Sequence, residues 1–145
     1  MKEEFTAYLK GIGMSDVLIG RVETIHGFYQ GICPEQITDV FVGEHIEADG
    51  SRGYDSVWCF SQRYIMEAKT FISRDEFDMT PLHKAVTYWK LEKQDYDFAK
   101  ATEKSRVLLD VNFSHMISGE FRASKENCDF LRDVLRKHIM PNLIC

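Results

Sequence analysis

Near the N-terminus the apolar positions repeat with helical spacing. Phe5, Tyr8 and Leu9 stand at i, i+3 and i+4, which predicts a helix over Glu3–Lys10, stopped by Gly11 and Gly13. Ser15 is placed to cap a second helix, and Asp16 suits its first turn. Leu18, Val22, Ile25 and Tyr29 then form one apolar face, and Gly31 and Pro34 end the element.

From Ile37 the period shortens toward two. Ile37, Val40, Phe41 and Val42 are strand formers, and Ile46 extends the run past Gly43. Asp49-Gly50 and Arg52-Gly53 supply turn chemistry. The stretch VWCFSQRYIMEAKTFI reads as a hairpin hinged on Ser61-Gln62-Arg63. Trp58 and Phe60 share one face of its first arm and are expected inside, with Tyr64 joining them. On the second arm the mixed set Ile65, Glu67 and Lys69 is expected to be wet, opposite Tyr64, Met66 and Ala68.

Ser73–Pro81 is polar and reads as a loop. His83–Glu92 returns to strand, with Thr87, Trp89 and Leu91 on one face and Val86, Tyr88 and Lys90 on the other. Ser105–Phe113 alternates most clearly, Val107, Leu109, Val111 and Phe113 facing one way and Leu108 breaking the polar face. Ser114-His115-Met116 is expected to turn the chain into a strand over 117–122. Ser124 is placed to cap a last helix, whose stripe is Phe130, Leu131, Val134, Leu135, His138 and Ile139, and Pro141 bars its continuation.

Taken together these elements predict an α+β chain: a helical pair, an antiparallel sheet of six to seven strands, and a C-terminal capping helix. The hairpin VWCFSQRYIMEAKTF, the alternating strand RVLLDVNF and the helix CDFLRDVLRKHI together resemble the bacterial pleckstrin-homology-like barrel. The resemblance spans about 37–140 and implies one domain over 1–145, with 1–34 as a helical extension packed on the barrel. It also raises phosphoinositide binding, which needs clustered cations between the first two strands. The matching stretch EHIEADGSRGY holds three acids and Arg52 as its base, so no phosphoinositide is expected.

Composition narrows the partners further. The net charge is −5 with a pI of about 5.5, and no Lys/Arg run offers a phosphate-tracking stripe, so nucleic acid is not expected. The opening MKEEFTAYLKGIG lacks the apolar core of a signal peptide, and no stretch is apolar enough to cross a bilayer, so neither export nor a membrane is expected. Cys33, Cys59, Cys128 and Cys145 are scattered and read as reduced thiols, consistent with a cytoplasmic location.

Catalytic chemistry finds little footing. Histidines at 26, 45, 83, 115 and 138 fall in no metal-ligand spacing with each other or with cysteine, so no metal or cofactor is expected. There is no GxSxG elbow, Cys59 reads as a buried hydrophobe rather than a partner of His83, and Asp75, Glu76 and Asp78 read as a solvated run. GIGMSD follows a helix rather than a strand, which is the wrong context for a phosphate cradle.

The expected role is therefore non-enzymatic: a module binding another protein or itself, with Val86, Tyr88 and Lys90 as the candidate surface. The same residues could instead be covered by Phe5, Tyr8, Leu18 and Ile25 of the helical pair. The alternative reading resembles the nuclear-transport-factor-like cone, whose pocket for a small molecule would be lined by Trp58, Tyr64, His83 and Trp89.

Overall fold

The computed structural model describes residues 1–69, 78–114 and 118–144. The expected loop at 73–77, the turn residues His115 and Met116, Ile117 and Cys145 lie outside them. In chain order the elements are α1 (Glu3–Gly11), α2 (Asp16–Ile32), β1 (Asp39–Ile46), β2 (Arg52–Phe60), β3 (Tyr64–Lys69), β4 (Asp78–His83), β5 (Val86–Gln94), β6 (Arg106–Phe113), β7 (Ser118–Ser124) and α3 (Asn127–Val134). A π-helical turn over Leu135–Ile139 and a 3-10 turn over Met140–Asn142 prolong α3.

The class is α+β, as the patterning implies. The strands nonetheless fall into two sheets, β1-β2-β3-β4 and β5-β6-β7, instead of one closed barrel. Among the described residues no ladder joins the two. The outer edge of β5 is met at Val86 by the chain's own tail, where Ile144 N–H donates to the Val86 carbonyl at 2.8 Å. The chain divides into two compact units, 1–42 with 55–81 and 43–54 with 82–145.

In the first unit Ser15 caps α2 as its sequence suggests, accepting from Leu18 N–H. Ile19, Val22, Ile25, His26 and Tyr29 form the buried face of α2, and Tyr8 of α1 accepts Val42 N–H at 3.0 Å. The hairpin departs from expectation in one respect. Register places Trp58 opposite Glu67 and Phe60 opposite Ile65, so the aromatic arm shares its face with the set expected to be wet. Both faces are covered: Val57, Trp58, Cys59, Phe60, Ile65 and Met66 are fully buried, and Glu67 is 8% exposed.

Its hinge is held by Glu35, whose carboxylate accepts from Ser61 Oγ, Arg63 N and Arg63 Nε at 2.8, 2.8 and 2.6 Å. Those Arg63 hydrogen bonds hold the Glu35 carboxyl down to about 2. Residues 78–81, expected as loop, belong to β4. As an edge strand, β4 tolerates the missing N–H of Pro81.

The second unit is built on β5-β6-β7. Val107, Leu109, Val111 and Phe113 are buried as their alternation predicts, and α3 packs across β6 and β7. Asp129 in the first turn of α3 accepts from Tyr96 Oη at 2.6 Å and from Ala101 N–H, tying the 95–105 loop to the helix. Ser124 is not the helix cap. It ends β7, Lys125 takes a left-handed φ of 52°, and Glu126 precedes the helix without a side-chain cap.

Asp49-Gly50 turns as expected, Gly50 at φ 84° and Asp49 accepting Ser51 N–H at 2.9 Å, but Arg52 and Gly53 already belong to β2. Gly53 leaves the space that the His45 ring fills across the strand pair.

Candidate interaction surfaces

The expected surface of Val86, Tyr88 and Lys90 splits between two faces. A bulge between Val86 and Tyr88 shifts the register, pairing Val86 with buried Phe113 and Tyr88 with exposed Asn112. Val86 is therefore fully buried, while Tyr88 is 52% exposed and Lys90 pairs with Glu92 at 3.2 Å. An extra residue reverses every later side chain, and alternation alone gives no warning of it. The outer face of this sheet carries Tyr88, Lys90, Glu92 and Gln94 of β5, Arg106, Leu108, Asp110 and Asn112 of β6, and Arg122 and Ser124 of β7.

The four residues of the alternative pocket are distributed over both units. Trp58 and Tyr64 lie in the first, and His83 and Trp89 in the second. Trp58 has no solvent-accessible surface, and its indole N–H donates to Ser56 Oγ at 3.2 Å. Tyr64 and Trp89 are half-buried, and His83 is exposed. Cys33, Cys59 and Cys128 are free thiols. Burial pushes the Cys59 and Cys128 thiols up to about 12. Among the described residues no group of His, Cys, Asp and Glu is arranged to hold a metal ion, and no helix is long and apolar enough to cross a membrane.

The outer face of α2 carries three exposed apolar side chains. Val17, Phe28 and Ile32 are 72%, 59% and 64% exposed. With Arg21 and Thr24 they fall at i, i+4, i+7, i+11 and i+15, one stripe on the side away from buried Ile19 and His26. Gly20, Gly27 and Gly31 flank the stripe, and a Cβ built on any of them would meet nothing within 4 Å. Sequence reading of α2 found its buried stripe and missed this second one. The signal was present in the spacing of Val17, Phe28 and Ile32 and in three helix-interior glycines, a residue costing about 1 kcal/mol there relative to alanine.

In the second unit the turn between β1 and β2 borders a cleft of about 410 Å³ against the outer face of β5-β6-β7. Its rigid wall is an ion cluster. Glu44, 4% exposed, meets Arg52 Nε at 2.9 Å and accepts from Ser124 N, Ser124 Oγ and Asn127 Nδ2 at 2.9, 2.5 and 2.6 Å. Arg52 Nη1 reaches Glu126 at 2.7 Å. Burial opposes the charge on Arg52, but Glu126 and Glu44 outweigh it and hold the guanidinium above its ordinary value. No family model, curated protein or solved structure matches the chain.

Proposed function

We propose that this chain is a non-enzymatic interaction module that associates with a second copy of itself through the outer face of α2. The observation carrying this reading is the exposed stripe of Val17, Phe28 and Ile32 beside open glycines. The face is complementary to itself. If two copies of α2 pair antiparallel about Thr24, Phe28 of one lies over Gly20 of the other, and Val17 lies over Gly31. Large side chains then meet glycines, which lets helix backbones approach closely. A single helix face lies below the usual size of a permanent interface, so the dimer belongs to the weak, concentration-dependent class.

The pleckstrin-homology-like reading is retained as a proposal for the fold. It is supported by strands that are consecutive neighbours in each sheet and by the amphipathic helix that follows them. Sedimentation velocity over a wide concentration range tests the self-association. A mass rising from monomer to dimer is expected, with Phe28→Glu held at monomer. A monomer at every concentration, or a dimer indifferent to Phe28→Glu, would overturn the reading.

A further inference from the structure

The cleft of the second unit has a charge opposite to that of the chain around it. Its lining includes Lys93, Arg106, Arg122 and Lys125, although the whole protein carries −5. Of the acids there, Glu44 is saturated by Arg52, Ser124 and Asn127, and Glu92 is paired with Lys90. Lys125 meets Glu103 at 3.6 Å and Arg122 meets Glu120 at 3.3 Å, both pairs open to solvent.

Arg106 is the telling residue. It is half-buried and bonds through Nη1 alone, to the backbone carbonyls of Glu103 at 3.2 Å and Ser105 at 2.8 Å. Among the described residues it meets no carboxylate. A half-buried guanidinium without a counter-ion is unfavourable, and an anion at its unused edge relieves that cost. Arg122 stands diagonally across the β6–β7 ladder, since Arg106 pairs with Ser124 and Leu108 with Arg122. Diagonal neighbours lie roughly 7–8 Å apart, close enough for two long side chains to converge on one group. Among the described residues Arg122 pairs with Glu120 at 3.3 Å, an exposed pair that a ligand can replace at little cost.

We infer that this cleft binds a small soluble phosphate ester, its phosphate held between Arg106 and Arg122, with Lys125 at the rim. Two planar guanidinium forks suit a dianionic phosphate, and the volume suits a metabolite-sized ligand. The β1–β2 turn supplies none of these cations, because its Arg52 is already committed to Glu44 and Glu126. The charge of that turn alone, three acids against one base, therefore says nothing against this site. The inference is independent of the α2 dimer.

Inorganic pyrophosphate, followed by calorimetry at low and high salt, is the probe. Saturable binding is expected that weakens with salt, with Arg106→Gln lowering affinity about tenfold, the worth of a lost charge-assisted bond. Arg106→Lys should retain part of it, and Arg136→Gln, outside the cleft, should change nothing. Thermal melts of each variant check that the fold persists. Vesicles of phosphatidylcholine doped with a phosphoinositide separate the two sources of phosphate. Binding to vesicles without binding to pyrophosphate overturns the inference, as does no saturable binding, or equal affinity in Arg106→Gln.

Discussion

Arg52 Nε lies 2.9 Å from Glu44 Oε1, joining β2 to β1 at the start of their shared turn. The two side chains are only 11% and 5% exposed, so neither charge is well hydrated if its partner is removed. Arg52 also donates to the Ser124 carbonyl at 3.0 Å, linking the hairpin to the end of β7. A buried ion pair is weak evidence for net stability, but breaking one side of it is costly. Arg52→Met should therefore destabilise the fold by about 3 kcal/mol. Glu44→Gln should do so less, because Ser124 and Asn127 can still donate to the amide oxygen. Urea denaturation of both single variants and of the double variant checks this. The double should cost less than the sum, since the buried carboxylate that Arg52→Met strands is then gone.

The split of Val86 from Tyr88 gives a second test. Val86 is sealed against the Phe113 side of the sheet, and Val86→Ala should cost about 1–2 kcal/mol in lost burial and residual cavity. Tyr88→Ser, on the exposed face, should stay within about 0.5 kcal/mol of the parent. Equal costs for the two in urea melts would mean that the bulge is absent and that both residues share one face.

How far the sequence led depended on whether a local rule or a tertiary one decided each element. The α2 cap at Ser15 and the alternation of Val107 to Phe113 were legible because each rests on contacts between near neighbours. Three features were not. The bulge at the start of β5 is one extra residue and leaves no mark in composition. Glu67 is buried because register sets it opposite Trp58, and register is fixed by the Ser61–Arg63 hinge that Glu35 clasps from another part of the chain. Ser124 has the residue type of a helix cap, yet its N–H and hydroxyl both donate to Glu44, 80 residues away. The α2 outer stripe was present in the spacing but competed with a more familiar buried stripe on the same helix. The cations of the cleft were visible only as the polar half of an alternating strand.

The open glycines make a prediction of opposite sign to that at Arg52. Gly20, Gly27 and Gly31 lie within α2, and nothing stands within 4 Å of where a Cβ would be. Gly20→Ala and Gly27→Ala should each stabilise the isolated monomer by up to about 1 kcal/mol through helix propensity and a less flexible unfolded chain. Gly20→Ala should also weaken self-association, because the added methyl occupies the space offered to Phe28 of the second copy. Melting at high dilution reads the first effect, and sedimentation at high concentration reads the second.

The thiols differ in access. Cys59 and Cys128 are fully buried, and desolvation pushes both up to about 12, whereas Cys33 at the end of α2 is half-exposed. Iodoacetamide under native conditions should label Cys33 before the other two, by peptide mapping. Cys59 and Cys128 should react only as fast as the fold opens.

The last prediction concerns acid. His26 on α2 is 7% exposed, its ring centroid lies 5.8 Å from that of Phe5, and its Nε2 has no partner among the described residues. Burial lowers its pKa from the ordinary 6.5, and the N-terminal amino group and Lys2 add to the effect. The unfolded chain therefore takes up a proton at a pH where the folded chain still excludes it. Stability is whole above 6.5 and declines as the pH falls from there through the depressed folded value. His26→Phe removes the titrating group while keeping an aromatic ring against Phe5. Its stability, measured by urea denaturation at about pH 7.5 and about pH 5.5 where histidine changes charge, should fall less between the two than that of the parent. An identical fall in both would place the acid sensitivity elsewhere in the chain.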